Sequence, residues 1–341
     1  MDKKNINSFF CKAPFEQVMV MANGDVFFCC DAMWNINAVL GNINKQSFDE
    51  IWNSELAQEI RRKALKNEYP YCKLELCKSR VSGDSIVQSF ISDNKIDYDI
   101  IMKKYPKFVS LAPDFECNIN CVTCRKHLFK YSDEEIESLN KKIDSVYLPI
   151  LKDAEIVMLN SSGEALASRH CKTLINAITQ KYPNIKFGLL TNGILCNERN
   201  LKQLNIIDKL CTVIVSVNAA TKQTYEKFSV GGSYKLVMKN LQFLKSLVRK
   251  GKLNCVIVSF VITSLNYKEI PTFIKYAKEN CFYLQFIHYV DWGKELNYLP
   301  DELAVHKTTH PEFPAYVRIY KKYMLPYLEE SKYYIKKVHS K

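Results

Sequence analysis

Six short runs rich in β-branched and apolar residues recur between residues 107 and about 290, and they narrow the fold more than any other feature of the chain. They are 107–112, 155–160 (EIVMLN), 185–190 (IKFGLL), 211–218 (CTVIVSVN), 254–263 (NCVIVSFVIT) and 282–287 (FYLQFI). Each is nearly continuous in apolar residues, as strands of a parallel sheet covered on both faces should be. Helical patterns lie between them. One opens at Ser132 with Glu135 three residues on, a capping box, and carries Ile136, Leu139, Ile143 and Val146 on one side. Another runs from about Ser233 to Lys250 and stops at Gly251. Six strands alternating with five helices predict an α/β fold, a partial (β/α)6 TIM-like barrel two units short of the full eight. In such folds chemistry gathers at the C-terminal ends of the strands.

The first run leads into Cys117-Asn-Ile-Asn-Cys121-Val-Thr-Cys124. Three thiols at CxxxCxxC spacing suit three corners of a cubane cluster and leave the fourth iron without a protein ligand, open to bind and reduce something. Zinc is the alternative, but a structural zinc site wants four ligands, and the nearest fourth is His127. A disulfide framework fits poorly. The cysteines number 13, and 47% of the residues are hydrophobic, enough for a full core. The start, MDKKNINSFF, does not read as a signal peptide, and no stretch is long and apolar enough to span a membrane. The expectation is a cytoplasmic protein whose thiols stay reduced.

The other strand ends carry Asn160-Ser-Ser-Gly163-Glu164, Thr191-Asn192-Gly193, Ser216-Val217-Asn218 and, after the last strand, His288, Tyr289 and Asp291. Singly these are ordinary turns; together with the cysteines they make a polar rim fit for a ligand. In order and spacing, CNINCVTC, SSGEAL, TNG and VSVNAAT resemble the radical S-adenosylmethionine (SAM) enzymes over about residues 105–290. The resemblance implies that Cys117, Cys121 and Cys124 hold a 4Fe–4S cluster whose open iron chelates the methionine part of SAM. Reductive cleavage then yields a 5′-deoxyadenosyl radical that abstracts a substrate hydrogen. It further implies that Ser162, Gly163 and Glu164 meet the SAM amino group, that Ser216 and Asn218 bind ribose or carboxylate, and that backbone near Ile287 faces adenine. Three departures stand out: Thr123 where an aromatic is usual, Ser-Gly-Glu for Gly-Gly-Glu, and Ser229 where relatives tend to carry arginine.

Five more cysteines lie near the N-terminus: Cys11, Cys29, Cys30, Cys72 and Cys77. Asn23-Gly24-Asp25 between apolar arms predicts a hairpin that brings Cys11 and Cys29 together. A helix capped by Ser47 and Glu50, with Ile51, Leu56, Ile60 and Leu65 following, delivers Cys72 and Cys77. Cys29 and Cys30 point to opposite faces of a strand, so one of them binds. The CX12GX4C spacing resembles the SPASM and twitch modules, which implies a second, auxiliary 4Fe–4S cluster on Cys11, Cys29, Cys72 and Cys77. Four thiols suit zinc equally well on chemistry alone. Such a module usually follows the barrel; here it precedes it. The expected division is therefore 1–82 for the auxiliary module, 105–300 for the barrel and 301–341 for a tail with one amphipathic helix around 316–337. Cys171, Cys196, Cys211, Cys255 and Cys281 sit in apolar patterns and read as buried packing residues.

The resemblance implies oxidation or crosslinking of a peptide or small metabolite, possibly a sugar derivative, with an electron donor such as flavodoxin or ferredoxin. His127, His288, Tyr289 and Asp291 are candidate proton acceptors. A formal charge of +12 keeps RNA modification open, although the lysines are scattered along helices. A non-catalytic metal-binding scaffold or sensor is the reading from another class.

Overall fold

The structure is a computed structural model, in which residues 10–29, 38–72, 91–92, 98–160, 162–291 and 296–328 are described. All six predicted strands form. They are numbered here after three N-terminal ones: β1 (Gln17–Val20), β2 (Asp25–Phe27), β3 (Gly41–Asn42), β4 (Phe108–Leu111), β5 (Ile156–Asn160), β6 (Lys186–Thr191), β7 (Leu210–Ser216), β8 (Cys255–Ile262) and β9 (Tyr283–His288). β7 ends two residues short of its expected limit because Asn218 takes a left-handed φ of +62°, which cannot continue a ladder.

These nine strands make one sheet in the order β9-β8-β7-β6-β5-β4-β1-β2-β3. From β9 to β1 every neighbouring pair is parallel. The N-terminal hairpin is thus continuous with the barrel sheet. β1 lies beside β4 with Gln17 opposite Phe108 and Val20 opposite Leu111, and β2 returns antiparallel around Gly24, whose φ is +89°. A glycine suits that turn, since its backbone visits positive φ without steric cost.

Alternation along the strands separates two faces. Val109, Leu111, Val157, Leu159, Phe187, Leu189, Val213, Val215, Val258 and Phe260 belong to the main core under the helices. Phe108 and Met158 face the other way, with Ala13, Cys11, Ile156 and Ile214 packed around them at the lower part of the barrel's inner face. Helices Arg169–Lys181, Tyr234–Arg249 and Ile270–Asn280 cover the outer face together with the turns 143–150, while Asp133–Lys142 packs against Arg169–Lys181. Ser132 closes its capping box with Glu135 as expected, and Ser233 caps the long helix, which yields to Gly251 at φ +68°.

Three expectations need correction. The helix after Ser47 is two helices, Phe48–Trp52 and Glu55–Leu65, because Ser54 adopts an extended conformation and caps the second through the Ala57 amide. Cys281 is exposed rather than buried: it takes the left-handed position (φ 57°, ψ 36°) that ends helix Ile270–Asn280. The tail is broken into Pro300–Leu303, Phe313–Ile319 and a wider turn at Tyr320–Met324, and residues 329–341 lie outside the described part. Cys171, Cys196, Cys211 and Cys255 are buried, as packing residues should be.

Candidate metal centre

The cysteine loop leaves the C-terminal end of β4 and is stapled in place. Residues Asn120–Cys121 pair antiparallel with Ser229–Val230, and the Val122 amide donates to the Phe228 carbonyl. The amides of Cys124 and Arg125 then fold back onto the Cys121 carbonyl. Cys117, Cys121 and Cys124 are all half-buried, and each has a separate polar neighbour. Cys117 Sγ lies 4.0 Å from Asn192 Nδ2, Cys121 Sγ lies 3.8 Å from the Ser229 hydroxyl, and Cys124 Sγ accepts from the Arg125 guanidinium at 3.5 Å. Burial raises the Cys117 thiol, and burial with the neighbouring Cys124 raises Cys121 to about 12. Such thiols stay protonated until a metal displaces the proton.

The donor set fits an iron–sulfur cluster. Three thiols with three hydrogen-bonding neighbours match the pattern by which proteins steady cluster sulfurs. Among the described residues no three His, Cys, Asp or Glu side chains form a group sized for one metal ion. A cubane does not require that, since each thiolate meets its own iron. His127, the fourth ligand in the zinc alternative, is exposed.

The Ser-Gly-Glu turn is bonded to this loop from both sides. The Glu164 amide donates to the Glu116 carbonyl at 2.7 Å, and Arg125 donates to the carbonyls of Phe115 (2.8 Å) and Ser162 (2.5 Å). Gly163 is needed because a Cβ there would sit 2.1 Å from the Glu116 carbonyl oxygen. The Glu164 carboxyl is fully buried and accepts from the Thr191 hydroxyl (2.7 Å) and the Asn192 amide (2.6 Å). Burial raises its pKa, and those hydrogen bonds oppose the rise. Asn192 closes the circuit, since its side chain also donates to Asn118 Oδ1 at 2.8 Å, inside the cysteine loop. Ser162, Gly163 and Glu164 therefore lie against the cysteine run, with the Glu164 side chain turned into the β6 end.

Ser216, Asn218 and Ile287 form a second group farther along the rim. Ser216 is in register with Ser259, and Ile287 with Val261. Asn218 bridges them: its Oδ1 accepts from the Val261 amide, and its carbonyl accepts from Asn266 Nδ2, both at 2.8 Å. Ser216 and Ile287 are half-buried on the inner face. His288 is not on that face. It follows Leu284 and Phe286 toward the helices, where Nε2 meets the Tyr316 hydroxyl at 2.6 Å and the ring stacks 4.6 Å from His306. Tyr289 is buried and Asp291 exposed, so no candidate proton acceptor stands out.

At the N-terminus the structure places Cys11, Cys29 and Cys72, whereas Cys30 and Cys77 lie outside the described residues. Tyr69 joins two of the three, its hydroxyl accepting from the Cys11 amide (3.0 Å) and its carbonyl from the Cys72 amide (3.1 Å). Phe27 lies opposite Met19, so Cys29, two residues on, falls near Gln17 and the start of β1. Cys11 packs on Phe108 and Met158. This set therefore sits at the N-terminal ends of β1 and β4, opposite the edge from which the CxxxCxxC loop emerges.

Sequence reading did not single out Arg125, Asn192 or Glu116. Arg125 directly follows the last cysteine, and a cation beside a thiol run is the signal that could have drawn attention to it. Asn192 was visible only as part of a turn.

Residues 11–78 match the SPASM iron–sulfur cluster-binding domain. The chain is 30% identical over 118 residues to the FeMo cofactor biosynthesis protein NifB of Methanocaldococcus jannaschii, covering 30% of this chain and 37% of that protein. It is 25% identical over 230 residues to a probable GTP 3′,8-cyclase of Methanococcus maripaludis, covering 65% and 73%. Among solved structures, native anSMEcpe with bound AdoMet and a Kp18Cys peptide is 23% identical with a TM-score of 0.38, covering 54% of this chain and 51% of that one. The chain spans less than half the length of the NifB proteins it matches. The SPASM match and the similarity to NifB and the GTP 3′,8-cyclase support a radical SAM enzyme with a SPASM module before its barrel, using 4Fe–4S clusters and SAM.

Proposed function

We propose that this protein oxidises or crosslinks a peptide or small polar metabolite by removing a hydrogen from an unactivated carbon. The observation that carries the reading is the closed circuit of bonds from Cys117 through Asn192 and Glu164 to the Ser-Gly-Glu turn, then through Arg125 to Cys124. A metal scaffold has no need to lock a turn against its cysteines, whereas a bound SAM must be held at a fixed distance from the iron. When bound there, the cluster and SAM would supply the carbon radical that abstracts hydrogen.

The chain's own residues then have distinct tasks. Cys117, Cys121 and Cys124 ligate three irons. The backbone of Ser162 and Gly163 receives the SAM amino group, while Glu164, its carboxyl occupied by Thr191 and Asn192, orients that turn. Ser216 and Asn218 serve the ribose or carboxylate. Ile287 belongs to β9, the last strand of the sheet, whose outer backbone edge offers hydrogen bonds to adenine. Beyond the first residue of each strand, the inner-face side chains of β4 to β9 include Ser110, Asn160, Ser216, Ser259 and Gln285 and none that is charged. That lining favours a neutral substrate bearing amides or hydroxyls. Cys11, Cys29, Cys72 and Cys77 would hold the auxiliary cluster, which would accept an electron from the substrate. A small electron carrier such as flavodoxin or ferredoxin would supply the electron to the cluster held by Cys117, Cys121 and Cys124.

Iron and sulfide content of anaerobically reconstituted protein, with 5′-deoxyadenosine release from SAM under dithionite, tests this reading. About eight irons should fall to about four in the Cys117→Ala/Cys121→Ala/Cys124→Ala variant, with SAM cleavage lost. An iron-free wild type that leaves SAM intact would sink the proposal and favour a scaffold.

A further inference from the structure

The residue after the last cluster cysteine does more than connect elements. Arg125 is half-buried, and one guanidinium nitrogen approaches Cys124 Sγ at 3.5 Å while also donating to Ser162 O at 2.5 Å. The other terminal nitrogen donates to Phe115 O at 2.8 Å. The fork therefore spans three things at once: a cluster ligand, the strand exit that carries the cysteine loop, and the turn that receives SAM. No other described side chain bonds both the cysteine loop's sulfur and the Ser-Gly-Glu turn. Its other neighbours are neutral carbonyls and thiols. Among the described residues no carboxylate pairs with this cation: Glu116 pairs instead with Arg169, and the buried Glu164, which opposes Arg125 at Cys117, is bonded to Thr191 and Asn192.

We propose that Arg125 is a positioning residue with two separable effects: its charge raises the reduction potential of the cluster on Cys117, Cys121 and Cys124, and its fork fixes the SAM-binding turn against that cluster. The inference rests on the cluster assignment above. Taking up one electron makes the cluster more negative by one unit, and a fixed cation at a ligand sulfur favours that form. The electron comes from the external one-electron donor, and no bond is made or broken at Arg125. The planar fork is what lysine cannot copy, whereas the charge is what lysine retains.

Full-length wild type, Arg125→Lys and Arg125→Gln would be reconstituted anaerobically and titrated reductively with dithionite under electron paramagnetic resonance. The signal that changes on adding SAM reports this cluster rather than the auxiliary one. At a fixed potential, Arg125→Gln should show about a tenfold lower reduced-to-oxidised ratio, equivalent to about 59 mV for one electron. Arg125→Lys should stay within about twofold of wild type, yet both variants should bind SAM more weakly. An unshifted Gln variant, or Lys and Gln shifted alike, would overturn the inference. The Lys protein is decisive alone if the Gln protein does not fold, because a potential well below wild type would refute the charge argument. A wild type with no SAM-responsive signal removes the cluster reading and this inference together, whereas a normal wild type with an unshifted Gln variant removes the inference only.

Discussion

Gly163→Ala is the sharpest probe of the way the Ser-Gly-Glu turn, proposed to receive SAM, is held. The new Cβ would meet the Glu116 carbonyl oxygen at 2.1 Å and the Phe115 carbonyl carbon at 2.7 Å, both inside the 3.0 Å that Cβ atoms respect. These are backbone atoms of the segment leading into the cysteine loop, so no side-chain rotation relieves the clash. The turn must move by about 1 Å. That breaks the 2.7 Å bond from the Glu164 amide to the Glu116 carbonyl and strains the Arg125 fork. Overpacking of this kind costs about 1–3 kcal/mol, and a lost hydrogen bond about 1 kcal/mol more. The sum, roughly 2–4 kcal/mol, lies below the ~5–15 kcal/mol that a folded domain commands, so the variant should fold. Its melting temperature should drop by roughly 5–10 °C. SAM affinity, measured by equilibrium dialysis on reconstituted protein, should fall at least about tenfold, the equivalent of one to two hydrogen bonds. An alanine protein that melts and binds SAM like wild type would refute the argument that the turn is pinned against the cysteine loop.

Other consequences follow from single side chains. His170 is fully buried, and its Nδ1 meets Asn140 Oδ1 while Nε2 has no hydrogen-bond partner among the described residues. Burial, then Lys142, lowers its pKa to about 4, so the unfolded chain binds the proton more readily between about pH 6.5 and 4. Its stabilising contribution should be complete above pH 6.5 and fade as pH falls toward 4, by at most about 3 kcal/mol; denaturant titration of wild type against His170→Gln at pH 7 and 5 measures it, and equal losses would contradict it. Arg61 is fully buried, donates to the carbonyls of Pro14 (2.9 Å) and Ile100 (3.1 Å), and lies 4.5 Å from the Trp52 ring centre. Arg61→Ala should destabilise by about 2–4 kcal/mol in chemical unfolding, since two carbonyls lose a charged donor and the aromatic rings lose a cation. Asn192→Leu keeps the main-chain bond to Glu164 but removes the side-chain link to Asn118 and Cys117. It should speed iron loss to a chelator several-fold and, with the bonds to Asn118 and the Ile194 amide gone, lower the melting temperature of the apo protein by a few degrees.

What the sequence made legible was governed by local physics. Continuous apolar runs located all six barrel strands, Ser132 and Glu135 marked a helix start, and Asn23-Gly24-Asp25 marked a hairpin. The break at Ser54 was harder to read, because the apolar spacing of Ile51, Leu56 and Ile60 runs through it and a serine is tolerated inside helices. Cys281 looked like a core residue because its neighbours are apolar, but the helix end there demands a left-handed residue. The pairing of β1 with β4 left no local trace, since both read as short buried strands and nothing in either names its partner. The site divides the same way. Cysteine spacing was visible, whereas Arg125 reaching Ser162 and Asn192 reaching Asn118 depend on how distant turns meet.

That parallel pairing has a consequence for how the chain comes into being. Gln17 and Phe108 lie 91 positions apart, counted as 108 minus 17. The hairpin leaves the ribosome early and is marginal alone, since two strands seldom hold in water, and the strand that shields its inner flank emerges only after the whole SPASM region has been made. Until then the flank of β1 is a bare template for any passing strand. Contacts this far apart in sequence close slowly because the loop entropy is lost before the contact rewards it. Cys29, Cys72 and Cys77 fall within that interval, so metal uptake by them would shorten the loop that remains to be closed. Metal bound by those thiols before β4 emerges would leave the last parallel pairing of this sheet a shorter span to close.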